Sequence, residues 1–284
     1  MEALIQILTG SALAGLLGAV GLRLTWSEVK TAVHTCWFTA ILAANFLVIP
    51  ALSVGAIKLF GLSHEVAIAI VLLAAAPFAP VVPVFARMAR ADLALAAGLT
   101  AVYPLASVLL TPLAAQGALW MLAHADPVRL NLLTSLGLLA ATISFPLAAG
   151  VFIRHRAPRW AQRLLRPVEI ISEATGATSL ALVTAMEFQT ITSLGWRAWI
   201  AMALGFELSL AVGWLLGGPT LGARRVVALG TSNRNIALAL LVALQNFSGT
   251  PVVSAVVGNG LLLIGLGLVH VGWWRFVRPD RSAR

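Results

Sequence analysis

The sequence predicts an all-α polytopic membrane protein, and three observations carry this prediction. Of the 284 residues, 60% are hydrophobic and only 10% are charged, whereas about 25% of the residues of a soluble globular domain are charged. The mean hydropathy is +0.95. The apolar runs are long enough to cross a hydrocarbon layer of about 30 Å, which takes a helix of about 20 residues. We therefore expect a single transmembrane domain over residues 1–284, with short loops between its helices.

Apolar runs separated by charged residues predict about nine transmembrane helices. In chain order, the predicted spans are about 3–22, 32–57, 66–86, 93–119, 130–153, 168–188, 198–217, 222–246 and 251–274. The first span is preceded by Glu2 and followed by Arg23. This is the opposite charge order to that of a cleaved signal peptide, so we interpret this segment as a membrane span.

The distribution of positive charge predicts the orientation of these spans. If the N-terminus lies outside, most of the 19 Lys and Arg residues fall in inner loops. These inner cations are Arg23, Lys30, Arg87, Arg90, Arg154, Arg156, Arg159, Arg163, Arg166, Arg224, Arg225, Arg275, Arg278, Arg281 and Arg284. The positive-inside rule therefore predicts an external N-terminus and a cytoplasmic C-terminus. It also explains the net charge of +9 through contact with membrane lipid, so we expect no nucleic-acid partner.

Two of the predicted spans contain residues that interrupt a helix. In the third span, Pro77, Pro80 and Pro83 each remove a backbone donor and clash with the preceding turn. In the eighth span, residues 230–235 are six consecutive glycine or polar residues, Gly-Thr-Ser-Asn-Arg-Asn. Lipid does not tolerate such backbone and side chains unless they are buried in protein or line a cavity. The sequence therefore predicts two discontinuous helices.

The positions of the two interruptions predict an internal repeat. Both lie a few residues from an inner pair of arginines, and the two spans are five apart, which reverses the direction of the second relative to the first. This pattern predicts an inverted five-helix repeat whose first half, 1–122, has four spans and whose second half, 130–276, has five. Discontinuous helices at matching positions are typical of the binding site of a secondary transporter. The alternative is a pair of unrelated kinks, because Pro and Gly are common in membrane helices.

Several short segments follow one another in the order and spacing of a known family. They are Gly21-Leu22-Arg23-Leu24-Thr25, Asn45-Phe46, Pro50, Ala76-Pro77, Ala89-Arg90-Ala91-Asp92-Leu93-Ala94-Leu95, Gly213-Trp214-Leu215-Leu216-Gly217, and Arg234-Asn235 followed by Leu238-Ala239. Together they make the chain resemble the bile-acid:sodium symporter family over nearly its whole length. The resemblance implies a core of spans two, three, four, seven, eight and nine, in which the third and eighth cross at their breaks. It also implies a panel of spans one, five and six that moves against this core, carriage of organic anions, commonly with sodium, and a bacterial inner membrane.

The third span departs from the sodium-binding pattern that the resemblance implies. Family members usually have two glycines after the proline, followed by a small polar residue and an asparagine. In this chain Phe78 and Ala79 follow Pro77, and Val82 and Pro83 stand where polar ligands are expected.

The eighth span departs from the same pattern. Gly230 stands where sodium-coupled members often have a carboxylate, and Arg234 replaces a neutral glutamine. Asn45 and Thr100 do match oxygen-ligand positions, but a hard cation prefers several oxygens, including a carboxylate. We therefore do not expect sodium to be the coupling ion, although the two matches leave it open. Proton coupling and no coupling are the alternatives, and we assign no metal site and no other cofactor.

Arg234 is the most informative candidate for the binding site. An arginine within a membrane span is costly and should face the bundle interior with a partner. Its planar guanidinium can bind a carboxylate or sulfonate of a substrate. Alternatively, it can replace the missing sodium charge and hold the crossover together. A misplaced helix boundary is the third interpretation.

The other candidates lie around this arginine or in neighbouring spans. They are Thr231, Ser232, Asn233 and Asn235 in the eighth span, Asn45 and Thr100 in the second and fourth, and Glu207 in the seventh. The hydroxyls and amides suit ion or substrate binding, and equally suit hydrogen bonds that repair the unwound backbone or join helices. Glu207 is a candidate proton carrier or counter-ion to Arg234, or a hydrogen-bonded structural residue.

These observations predict a secondary-active or facilitative transporter that carries a small organic anion by alternating access. A membrane sensor that binds its ligand on the same scaffold without net transport is the alternative. We do not expect an enzyme, since we find no paired acids, histidine-rich metal cluster or nucleophile with its base. The sequence leaves the substrate, the direction of transport and the oligomeric state open.

Overall fold

The computed structural model describes residues 2–35, 37–122 and 128–276, and all of their regular structure is helical. In chain order the α-helices are α1 (Glu2–Arg23), α2 (Trp26–Thr35), α3 (Phe38–Ala43), α4 (Ile49–Phe60), α5 (His64–Ala74), α6 (Val82–Met88), α7 (Leu93–Leu122), α8 (Leu132–Leu139), α9 (Phe145–Arg156), α10 (Pro158–Met186), α11 (Phe188–Thr192), α12 (Trp196–Leu216), α13 (Leu221–Ser232), α14 (Ile236–Asn246) and α15 (Pro251–Phe276). A π-helical segment joins α3 to α4 at Ala44–Val48, and another joins α8 to α9 at Ala140–Ser144. The predicted inner cations Arg278, Arg281 and Arg284 lie outside the described residues.

Seven helical segments within these ranges are long and apolar enough to cross a membrane. They are Glu2–Arg23, Phe38–Phe60, Leu93–Leu122, Leu132–Arg156, Trp196–Leu216, Leu221–Asn246 and Pro251–Arg275. Two of the nine predicted spans are not among them. The third corresponds to α5, which has only 11 residues, and to α6. The sixth lies within α10, where Glu169, Glu173 and several hydroxyl residues lower the hydropathy.

The packing of α1 is closest against α9 and α10. A Cβ at Gly150 would collide with the backbone of Gly18 and lie 2.8 Å from Leu22 N, so only glycine allows α1 and α9 to approach this closely. A buried hydroxyl pair, Thr9 Oγ1 and Ser179 Oγ, joins α1 to α10 at 2.7 Å. These contacts make α1, α9 and α10 one packed group.

A second packed group surrounds α5. Residues 66–74 of α5 are all buried, as expected for a helix that is enclosed on every side. Its main neighbours are α15, α4, α7 and α14, and α12 packs along α13. At the start of α7, Asp92 Oδ1 accepts a hydrogen bond from Leu95 N at 3.0 Å and so caps this helix.

The chain leaves helical conformation at two places within this second group. The first break covers residues 75–81, between α5 and α6. The second break covers residues 233–235, between α13 and α14. The first includes Pro77 and Pro80 and the second Asn233, Arg234 and Asn235, whereas Pro83 belongs to α6 and residues 230–232 remain helical in α13. The second break is buried throughout, and the first is buried except at Pro80 and Val81.

Candidate functional site

The two breaks contact each other through their backbones. Two hydrogen bonds join them, Ala79 N to Asn233 O at 3.2 Å and Asn235 N to Ala76 O at 2.7 Å, and a third joins the first break to the last turn of α13, from Phe78 N to Gly230 O at 3.1 Å. Each break thus supplies hydrogen-bond partners for polar groups that lie outside the helical ladders. Backbone N–H and C=O groups inside a membrane need such partners from the protein, because no water is present to form hydrogen bonds with them.

Gly230 allows the breaks to approach this closely. A Cβ at this position would overlap the ring of Phe78. Phe78 itself is fully buried, has a φ of 55°, and stacks on Tyr103 with ring centroids 4.0 Å apart. A positive φ is rare for a bulky residue and persists only when its surroundings hold it in place. The aromatic stack and the missing Cβ of Gly230 together hold the first break in this conformation.

The polar side chains of the second break mainly repair their own backbone. Asn235 Oδ1 accepts from Leu238 N at 3.1 Å and so caps α14. Asn233 Nδ2 donates to Leu229 O at 3.1 Å, at the C-terminal end of α13. Ser232 Oγ is 3.5 Å from the same carbonyl oxygen. These side chains therefore form hydrogen bonds with backbone groups that have no partner where a helix ends.

Arg234 reaches another helix and contacts Asn45. Asn45 is fully buried in the π-helical segment Ala44–Val48. Its Nδ2 donates to Ile41 O at 2.9 Å and to Thr231 Oγ1 at 3.3 Å. Because these two acceptors fix the amide, its Oδ1 faces the guanidinium, and Arg234 Nη1 donates to it at 3.2 Å. Three predicted site residues on two separate spans, Asn45, Thr231 and Arg234, thus meet here, and Asn235 follows Arg234 in the chain.

The charge of Arg234 is deeply buried. The residue is only 4% exposed. Across the described ranges it has no carboxylate partner, and its Nη2 atom has no hydrogen bond. A small cavity of about 30 Å³ adjoins it, with Ser53, Ser209 and Asn259 among its other lining residues. This space holds a water molecule or two and is far too small for an organic anion.

A second, much larger cleft also adjoins the breaks. It has a volume of about 530 Å³, which is within the range of small-molecule sites in proteins. Its walls come from α1 and α10 on one side and from the first break, α6, α14 and α15 on the other. Pro80 and Pro83 line it at the first break, and Ile236 and Ala237 line it at the start of α14. Pro77, by contrast, is buried and does not reach the cleft.

The cleft combines apolar walls with a charged rim. The apolar lining includes Leu16, Val20 and Leu240. The charged residues that line it are Arg23, Arg87, Arg166, Glu169 and Glu173. The pair of Arg23 Nη1 and Glu169 Oε1 is 3.2 Å apart. This leaves the guanidinium groups of the other two arginines as donors for an anion that enters the cleft.

Two predicted site residues lie elsewhere. The hydroxyl of Thr100 donates to Ala96 O of its own helix at 2.7 Å. Glu207 Oε2 is 3.3 Å from His270 Nε2, and this carboxylate side chain is 46% exposed. Its partner is therefore a histidine of α15, and the residues that line the small cavity beside Arg234 do not include it.

The sequence does not mark the arginines of the cleft as site residues. Arg23, Arg87 and Arg166 fit the pattern of cations that set the topology. Their separation along the chain gives no sign that they share one cleft, and only the fold, which places α1 and α10 across the cleft from α6, brings them together. Among the residues described, no group of three or more His, Cys, Asp or Glu side chains is placed to hold a metal ion.

Comparison with known proteins identifies the family of this chain. No curated protein matches it significantly. A family model described as the sodium bile acid symporter family matches residues 12–194, which is more than half of the chain. The match runs from α1 through α11 and includes the first break, whereas the second break with Arg234 lies beyond it. The match and the apolar helices together show that the chain is an integral membrane protein and belongs to the sodium bile acid symporter family.

Proposed function

We propose that this protein is a secondary transporter that carries a small amphipathic organic anion by alternating access. The large cleft is the observation that carries this proposal, because its volume suits a small organic anion and it adjoins both breaks. Its apolar walls suit the body of such a substrate. The guanidinium groups at its rim suit a carboxylate or sulfonate head.

The start of α14 supplies a further favourable feature for an anion. Ile236 and Ala237, the first two residues of this helix, line the cleft. The amides of a first helical turn have no partner within the helix, and the helix dipole places partial positive charge there. An anion in the cleft would therefore meet both the rim arginines and a helix N-terminus.

The arrangement of the walls supports a rocking movement. We interpret α1, α9 and α10 as the panel and the group around α5 as the core, with the cleft between them. Movement of one group against the other would close the cleft on one side of the membrane and open it on the other. In this interpretation α5 with α6 is the third of nine spans, α10 includes the sixth, and the two breaks are the matching parts of an inverted repeat.

Filling the cleft is the most direct test of this function. Ala177 is an exposed residue of α10 that lines the cleft, whereas Ala174, one turn earlier, is exposed and does not. We expect Ala177→Trp to abolish uptake into proteoliposomes, while Ala174→Trp retains it. The probes are radiolabelled aliphatic and steroidal carboxylates and sulfonates. Absence of uptake of every probe by the wild type would contradict the proposal, and binding without uptake would favour a membrane sensor.

The rim arginines should act on affinity. We expect Arg166→Gln to raise the KM for the transported anion by about tenfold, because a hydrogen bond to a charged group contributes about 1.5 kcal/mol or more. Arg159→Gln is the matched control, since Arg159 lies on the same helix, is exposed and does not line the cleft. Equal KM values for the two variants would show that the head group of the substrate binds elsewhere.

A further inference from the structure

The description of the family includes sodium, and the structure allows a test of whether the residues at the two breaks suit that ion. Asn45 Oδ1 is the buried side-chain oxygen that the second span directs toward the breaks. It already accepts a hydrogen bond from Arg234 Nη1 at 3.2 Å. A positive charge fixed at this oxygen repels a second cation, and within the described ranges no carboxylate at the breaks offsets it. The residues therefore do not fit a bound sodium ion.

The surroundings of Arg234 favour a positive charge without any bound ion. Arg234 lies two residues after the end of α13. The neighbouring residue, Asn235, donates its amide to Ala76 O, just beyond the end of α5. Helix C-termini carry partial negative charge. The C-terminal ends of α13 and α5 thus lie near Arg234 and both favour a positive charge there, whereas the N-terminus of α14, which Asn235 caps, opposes it.

We infer that Arg234 is a permanent internal cation that takes the place of a bound sodium ion at the meeting point of the two breaks. The protein therefore folds without sodium. A second consequence rests on the proposed transport function: substrate flux does not require a sodium gradient. The role of Arg234 is electrostatic and positional, and the substrate binds in the large cleft, which Arg234 does not line.

Sodium binding by the purified protein tests this inference without any substrate. We expect the wild type to bind no radioactive sodium and to have the same melting temperature in sodium chloride and in choline chloride of equal concentration. Specific stabilisation by sodium, or radioactive sodium that unlabelled sodium displaces, would overturn the inference.

Variants at the contact provide the matched comparison. Arg234→Gln should lower the melting temperature in both salts, and Arg234→Lys, which keeps the charge, should lower it less. The double variant Arg234→Gln with Asn45→Asp removes the internal cation and adds a carboxylate at the position that contacted it. We therefore expect its melting temperature to rise with sodium concentration until the sodium site is saturated. A melting temperature of Arg234→Gln equal to that of the wild type would overturn the inference.

If Arg234→Gln does not fold, the sodium measurements on the wild type and on Arg234→Lys still decide the question. These results also separate the two proposals. A protein that binds no sodium and transports none of the probes would contradict the proposed function and leave the inference in place. Transport that stops when sodium is removed on both sides would contradict the inference and leave the proposed function in place.

Discussion

The two breaks provide hydrogen-bond partners for their backbone groups in different ways. Both expose backbone groups that no helix satisfies. The first, residues 75–81, uses prolines, which carry fewer donors, and borrows partners from other segments: Thr111 Oγ1 donates to Ala75 O at 2.7 Å and Asn235 N donates to Ala76 O. The second, residues 233–235, uses its own asparagine side chains as caps and end contacts. The second break therefore carries the polar side chains and the charge, and the first contributes shape.

This difference also separates what the two breaks contribute to function. Pro80 and Val81 of the first break form part of the wall of the large cleft. Arg234 of the second break is buried against Asn45 and the small cavity instead. A change in the first break should therefore act through packing and the shape of the cleft. A change in the second should act through helix ends and charge.

The largest effect is expected where the breaks touch. Gly230→Ala places a methyl group on the ring of Phe78, which is buried and stacked on Tyr103. Overpacking of this kind costs about 3 kcal/mol, so we expect a clear fall in melting temperature. Gly265→Ala is the control, because a Cβ there meets no atom within 4 Å and alanine favours a helix. Similar stability of the two variants would show that the breaks are not tightly packed.

A smaller loss of stability should follow when the first break loses the hydrogen bond that it receives from α7. Thr111→Val leaves Ala75 O without its donor, at a cost of about 2 kcal/mol in the free energy of unfolding. Thr100→Val is the control on the same helix, since the hydroxyl of Thr100 bonds only to the preceding turn of α7. Denaturation of both variants in detergent measures the difference. A larger cost for Thr100→Val would indicate that this hydroxyl has a further role at the site.

The smallest effect is expected at the cap of α14. Asn235→Ala removes the acceptor for Leu238 N and should cost about 1 kcal/mol. Asn235→Ser retains a capping oxygen and should recover most of this loss. If serine does not recover the stability, the amide of Asn235 contributes more than a cap, and the contrast between the two breaks is wider than the hydrogen bonds indicate.

Much of this fold could be predicted from the sequence because its main signals are local. Apolar runs predict the seven helical segments that are suited to cross a membrane. Pro77, Pro80 and the last three residues of the polar run at 230–235 mark where the chain leaves a helix, whereas Pro83 and residues 230–232 stay helical. The third and sixth predicted spans are less distinct for local reasons as well. The first break shortens α5 to 11 residues, and Glu169 and Glu173 reduce the hydropathy of α10.

The tertiary partners of the polar residues could not be predicted in the same way. Nothing near Glu207 in the sequence indicates His270, and nothing near Asn45 indicates Arg234, although each pair forms a contact. The arginines of the cleft were equally hidden, because a cation at a span end suits the topology whether or not it lines a cavity. Such contacts depend on which helix faces pack together, and apolar membrane helices carry few residues that specify those faces.

Alternating access to the large cleft requires that a residue in its wall can be reached from both sides of the membrane. Ala237 lies at the start of α14, where the cleft meets the second break. We would introduce Ala237→Cys into a Cys36→Ser background, since Cys36 is the only cysteine, and apply a membrane-impermeant thiol reagent to vesicles of both orientations. Alternating access predicts that the cysteine introduced at position 237 is modified from both sides of the membrane and is protected by the transported anion. Modification from one side only, whatever the substrate conditions, would contradict it.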